Sequence, residues 1–175
     1  MPSNMTPREY AISRVKDKRA KEYFAMMVEN EGYKQKVYKD SKGKRTIGIG
    51  FNLEEPMNRR ILKEEGMDIN EIFQGKKLSD SEIKKLYNRS LTQAFNDAVK
   101  FDPKFASRPE PAKKAIVDMS FNLGLTKLKK FEKMSEGLRA NDYNKAADEM
   151  VDSDWYKDVK SRGPRTVSLM RSLAQ

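Results

Sequence analysis

Two carboxylates and a hydroxyl frame the stretch ENEGYKQKVYKDSKGKRTIGIGF, residues 29–51: Glu31, Asp40 and Thr46. The 175-residue chain contains no histidine and no cysteine. That excludes Ser-His-Asp and Cys-His machinery, the usual zinc sites and any disulfide. Proton transfer must then fall to groups such as Asp, Glu, Lys or Tyr, and paired carboxylates lead. Glu31 continues the helical series Phe24, Met27, Val28, so it falls on an apolar face at a helix end. Burial and the negative end of the helix dipole both disfavour an ionised carboxyl there. Asp40, flanked by Lys39, Ser41 and Lys42, belongs to a polar strand-to-turn setting and is expected to stay charged. Two carboxyls driven apart in this way make an acid and a base. Thr46, Gly48 and Gly50 alternate with Ile47 and Ile49. In a regular strand the isoleucines would face the core, and the opposite face, a hydroxyl beside two bare glycines, would admit an extended polar polymer. The same residues also fit plainer roles: a solvated helix end, a turn-forming aspartate and glycines that allow tight packing. Residue types and spacing leave both readings open.

The elements that must position these groups are legible in outline. Thr6, Pro7 and Glu9 mark a helix start with a capping box, and a second helical stretch ends at Glu31, with Gly32 as its cap. KVYKDSKGKRTIGIG predicts a hairpin turning near Asp40 to Gly43. Short helices are expected in EPMNRRILKEEG and INEIF. Ser79 and Glu82 form a second capping box, with Leu78 and Ile83 as a hydrophobic staple, opening a long helix that Asp102-Pro103 stops. The rest reads as helices over EPAKKAIVDMSFNLG, LKKFEKMSEGLRA, YNKAADEMV, DWYKDV and PRTVSLMRSLA, the last starting at Pro164. The expected class is α+β. Its parts are an N-terminal helical extension (1–20), a small mixed region with the hairpin (21–78), a linking helix (79–101) and a helical region (102–175).

Apolar residues make up 37% of the chain and charged residues 35%, both signs interspersed, and the formal net charge is +10. The composition predicts a folded protein with a very polar surface, attracted to anionic polymers such as nucleic acid, a membrane surface or bacterial wall. No apolar run approaches a membrane span, and the opening MPSNMTPREY lacks the hydrophobic core of a signal peptide. An extracytoplasmic substrate would have to be reached by another route.

Glu31, Gly32, Tyr38, Asp40, Thr46, Ile47, Gly48 and Gly50 stand at the spacing E-G-x-x-x-x-x-Y-x-D, a short turn, then T-I-G-x-G. This stretch resembles the catalytic segment of the phage lysozymes, the T-even phage lysozyme and its endolysin relatives. AIVDMSFNLG, with Phe121, Asn122 and Gly124, and DSDWYKDVKSRGPRTVSLMRSL, with Trp155, Tyr156 and Arg162, resemble the family's later segments. The likeness runs from about Lys21 to the end.

The resemblance implies a two-lobed, lysozyme-like muramidase with its cleft between the lobes, cleaving the β-1,4 bond between N-acetylmuramic acid and N-acetylglucosamine in peptidoglycan. It assigns Glu31 as general acid and Asp40 with Thr46 to the attacking water, with inversion at the anomeric carbon. Gly48 and Gly50 support the hairpin. Phe121 and Asn122 are implied as substrate contacts, and Arg162 as a partner of the acid, an effect on its proton affinity opposite to that of burial. No metal or cofactor, no nucleic acid and no membrane anchor are expected, and the protein is expected to be a monomer. The resemblance places it in the host cytoplasm until release to the wall for lysis, or, as an alternative, in a virion for use at infection. A non-catalytic basic wall-binding protein is the reading from another class; it would bind with a steep salt dependence and no need of Glu31 or Asp40. Two departures stand out. Phe51 occupies a position where many relatives carry histidine, so that Phe51 and Asn52 are expected to repack the cleft rim. Residues 1–20 exceed the family's usual start.

Overall fold

A computed structural model describes residues 1–174 and, among them, ten α-helices and one three-stranded antiparallel sheet. The α+β class expected from the sequence is the class observed. The chain divides into two units, Met1–Ser90 and a second that begins at Leu91.

In the first unit, α1 (Pro7–Ser13) starts on its capping box: the Thr6 hydroxyl accepts from the Glu9 backbone N–H at 3.2 Å, and the Glu9 carboxylate accepts from the Thr6 N–H at 2.8 Å. Asp17 caps α2 (Lys18–Glu31) by accepting from the Ala20 N–H at 2.8 Å. The stripe read from the sequence goes inside, with Phe24, Met27 and Val28 at most 2% exposed. Strands β1 (Lys34–Lys39), β2 (Arg45–Gly48) and β3 (Phe51–Asn52) lie in sequence order. The β1–β2 turn falls on Asp40 to Gly43, closed by the Gly43 N–H donating to the Asp40 carbonyl at 2.9 Å. Helices α3 (Pro56–Glu64) and α4 (Ile69–Phe73) follow.

Helix α5 (Asp80–Phe101) has 22 residues, and the boundary between the units falls within it. Its start is fixed by the reciprocal bonds of Ser79 and Glu82, with Leu78 and Ile83 buried around them. Tyr87 meets Phe24 edge-on at 4.9 Å between ring centroids, which ties α5 to the helix that carries Glu31.

The second unit continues with a 3₁₀ turn (Phe105–Ser107), α6 (Glu110–Leu128), α7 (Glu132–Arg139), α8 (Tyr143–Val151), α9 (Asp154–Asp158) and α10 (Arg162–Arg171). Its core includes Ile116, Met119, Leu128 and Met134, all fully buried. Gly124, at φ +74° inside α6, breaks that helix. Gly137 lies within α7, where a Cβ would sit 2.8 Å from the Ala146 backbone nitrogen of α8, so a hydrogen there lets the two helices touch. Helix α10 begins two residues before the expected Pro164, because Pro fits within a first turn as well as at its first position.

Candidate active site

Glu31 is the last residue of α2, and Gly32 turns the chain away at φ +82°. The turn is tied to α5: the Tyr33 hydroxyl donates to Oδ1 of Asp80, the first residue of that helix. Burial and that bond push the Tyr33 phenol well up, so it stays a donor.

The two glycines of the hairpin correct the sequence reading. Only Gly48 lies in a strand, as the last residue of β2. Ile47 pairs with Phe51, so the chain reverses over Gly48 to Gly50, with Ile49 and Gly50 as the connection between β2 and β3. Gly48 sits at φ +66° and Gly50 at φ +62°, a region that side chains with a Cβ rarely adopt. The bare surface at Gly50 is already occupied, by Glu31. A Cβ on Gly50 would lie 2.8 Å from Glu31 Cδ and 3.0 Å from Glu31 Cβ, and closer still to Oε2. Gly48 instead admits α5, with Ile83 Cγ2 at 3.4 Å from where its Cβ would be. The glycines are therefore there for Glu31 and the core. Replacing Gly50 by Ala should cost about 1–3 kcal/mol in backbone strain and, by displacing the Glu31 carboxylate, on the order of 10² in turnover. A thermal melt and an initial-rate assay on the same preparation would check both.

Asp40 caps its own hairpin. Its Oδ1 accepts from the Lys42 and Lys44 backbone N–H groups at 2.9 and 2.8 Å, while Oδ2 accepts no hydrogen bond among the described residues. The turn-forming role and a chemical role thus fall on different oxygens of one carboxylate. Thr46 is buried and its hydroxyl donates to the Lys44 carbonyl at 2.9 Å. With its proton committed, Oγ1 can only accept from anything further.

Tyr38, half-buried on β1, registers both carboxylates. Burial pushes its phenol up to about 12, and the negative charges of Glu31 and Asp40 add to the shift. Tyr38 is the cross-strand partner of Thr46. Within the first unit, then, Gly50 lies against Glu31, and Tyr38, which residue-type reasoning passed over, pairs with Thr46 and feels the charges of Glu31 and Asp40. The base of the β2–β3 connection is clamped by Arg45, which donates to both Glu54 oxygens at 2.7 and 3.1 Å and stacks 3.8 Å over the Phe73 ring. Its guanidinium holds the Glu54 carboxyl down at about 2. Phe51 is a core residue, 2% exposed, and Asn52 is half-buried, so the step from β2 to β3 is anchored by a phenyl ring.

The other expected site residues belong to the second unit. Phe121 is half-buried and Asn122 exposed, both on α6. The Asn122 Oδ1 accepts from Trp155 Nε1 at 3.2 Å, so one end of that amide is used in holding α9. Arg162, 5% exposed, opens α10 and forks onto Asp118 of α6: Nε to Oδ2 at 3.1 Å and Nη2 to Oδ1 at 2.7 Å. The Thr166 hydroxyl adds a third bond to Asp118 Oδ2, at 2.8 Å. Asp118 was missed, although a charge inside the apolar run AIVDMS is itself a sign of a buried partner.

Residues 28–171 match the family described as phage lysozyme. The chain belongs to the phage lysozyme family. It is a glycoside hydrolase of the lysozyme class, and its family implies peptidoglycan as substrate. Among relatives, the chain is 28% identical over 155 residues to the pre-baseplate central spike protein Gp5 of Enterobacteria phage T4, covering 83% of this lysozyme and 27% of the spike protein. It is 25% and 26% identical to probable T4-type lysozymes 2 and 1 of Dictyostelium discoideum, in each case over 84% of this chain and 92% of the relative. The chain therefore spans about a quarter of the spike protein and nearly all of the two amoebal lysozymes. Among the described residues no helix is long and apolar enough to cross a membrane.

Proposed function

We propose that this lysozyme is an inverting N-acetylmuramidase, cleaving the β-1,4 bond between N-acetylmuramic acid and N-acetylglucosamine with Glu31 as acid and Asp40 as base. The observation that carries the reading is the seat of Glu31: its carboxyl lies against a glycine with no side chain, beside a phenol that feels both it and Asp40. Glu31 donates its proton to the glycosidic oxygen as the C1–O bond breaks. Water adds to C1 from the opposite face, giving one proton to Asp40. The uncommitted Asp40 Oδ2 and the acceptor-only Thr46 Oγ1 both draw water protons toward themselves, which turns the water's lone pair toward C1. Inversion calls for carboxyls roughly 6.5–9.5 Å apart, with the water between. Phe121, Asn122 and Arg162 keep the roles the resemblance gives them, glycan contact for the first two and support for the third.

The formal charge of +10 favours encounter with the anionic wall. Wall cleavage in host lysis is the proposed role. Similarity to a phage spike protein favours a second setting, a virion-borne enzyme at infection. The test is chemical. Peptidoglycan digested with the protein, reduced with labelled borohydride and sequenced by mass spectrometry should show N-acetylmuramic acid at every new reducing end. Proton NMR at the earliest times should show the α-anomer. Reducing ends on N-acetylglucosamine would refute the bond assignment, and a β-anomer formed first would refute inversion.

A further inference from the structure

Three side chains form one row across the sheet. Tyr38 of β1 pairs with Thr46 of β2, and Thr46 pairs in turn with Asn52 of β3. Directly opposed residues project to the same face, with Cβ atoms about 4.5–5.5 Å apart. Asp40 follows Tyr38 by two residues. The row therefore runs beside the carboxylates across β1, β2 and β3.

Its hydrogen-bonding capacity alternates. The Tyr38 hydroxyl makes no hydrogen bond to the described chain, and it is not among the buried polar atoms that lack a partner, so it reaches solvent. Burial and its two acidic neighbours keep it neutral up to about 12, so it is a donor at any working pH. Thr46 has spent its proton on Lys44 and is an acceptor. Asn52 Oδ1 accepts from the Glu54 N–H at 2.8 Å, which identifies the oxygen of that amide and leaves Nδ2 without a protein acceptor among the described residues. The row reads donor, acceptor, donor. Carboxylates can only accept, apart from the one proton of the acid. A saccharide beside them presents ring, hydroxyl and acetamido oxygens that need donors.

We propose that the Tyr38 hydroxyl and the Asn52 amide are direct saccharide contacts, donating to oxygens of the glycan on either side of Thr46. The inference rests on the muramidase reading above. It extends that reading to Tyr38, and to Asn52, which the sequence reading placed at the cleft rim without a role and which lies in β3, a strand that reading did not foresee.

The test separates the two. A soluble tetrasaccharide of alternating N-acetylglucosamine and N-acetylmuramic acid, reduced at its end, is titrated calorimetrically into Glu31→Gln protein, which holds substrate without turning it over. The same titration is made with Tyr38→Phe and with Asn52→Ser added singly. Phenylalanine removes only the unbonded hydroxyl. Serine keeps an oxygen able to accept from the Glu54 N–H while removing the amide donors. Each should weaken binding about 3- to 30-fold, with the melting temperature of Tyr38→Phe unchanged. In the active background Tyr38→Phe should lower kcat/KM by a similar factor. Binding and kcat/KM within twofold of the parent for both variants would overturn the inference and leave the muramidase reading intact. A tetrasaccharide that binds neither parent nor variants, together with no muramic reducing ends from the wild type, would overturn both.

Discussion

Replacing Glu31 by Gln should abolish measurable wall cleavage, with turnover lowered on the order of 10²- to 10⁴-fold, the range a general acid supplies. The substitution is nearly isosteric, so the contact with Gly50 persists. It removes the transferable proton and the carboxylate's charge while keeping its shape. Stability should hold or rise slightly. Glu31 ends α2, where the helix dipole is unfavourable to a negative charge, and an amide relieves that by about 0.3–1 kcal/mol. The check is the initial rate of soluble fragment release alongside a thermal melt. Loss of rate with an unmoved or higher melting temperature is the expected pair. A variant retaining a fifth of the wild-type rate would mean that the acid lies elsewhere. Asp40→Asn differs in kind. Its Oδ1 still caps the turn through Lys42 and Lys44, so it should fold, but it leaves the water without a base.

The legible part of this chain was the part governed by local rules. Both capping boxes, the Asp40–Gly43 turn and the apolar stripe of α2 depend on residues within a few positions of each other, and each stands where the sequence placed it. The proposed acid and base could be named from the sequence for the same reason: Glu31 and Asp40 are nine positions apart across one short connection. What failed was inference about backbone at Gly48 and Gly50. Alternation along TIGIG predicts a strand, but glycine places no penalty on a positive φ, and the chain used that freedom to turn back within three residues into β3. A period-2 pattern containing glycine at every second position is thus also a turn pattern. The pairing of Asp118 was illegible for a different reason. Its partner Arg162 is 44 positions away, and no local rule connects a buried carboxylate to a guanidinium at that distance.

That pair carries the second large effect. Asp118 is fully buried and Arg162 nearly so. The carboxylate takes two guanidinium bonds and the Thr166 hydroxyl, so α6 and α10 are joined through a fully desolvated charge pair. Truncating one partner removes the buried, hydrogen-bonded counter-charge of the other, which costs about 3–5 kcal/mol. Asp118→Ala should therefore lower the melting temperature by roughly 6–20 °C, taking 2–4 °C per kcal/mol for a chain of this size. The companion experiment distinguishes pairing from packing. If the cost is loss of the buried counter-charge, Asp118→Leu combined with Arg162→Met should recover most of the lost stability, because well-packed apolar side chains can replace a buried ion pair at no net cost. If the double variant is as unstable as the single one, the shape and hydrogen bonds of the cluster matter more than its charge balance. Activity measured on the recovered double variant, well below its melting temperature, then reports what Arg162 contributes beyond holding α10 in place. A folded, stable and inactive double variant would assign the arginine a role in the chemistry. A folded, stable and active one would confine it to the scaffold.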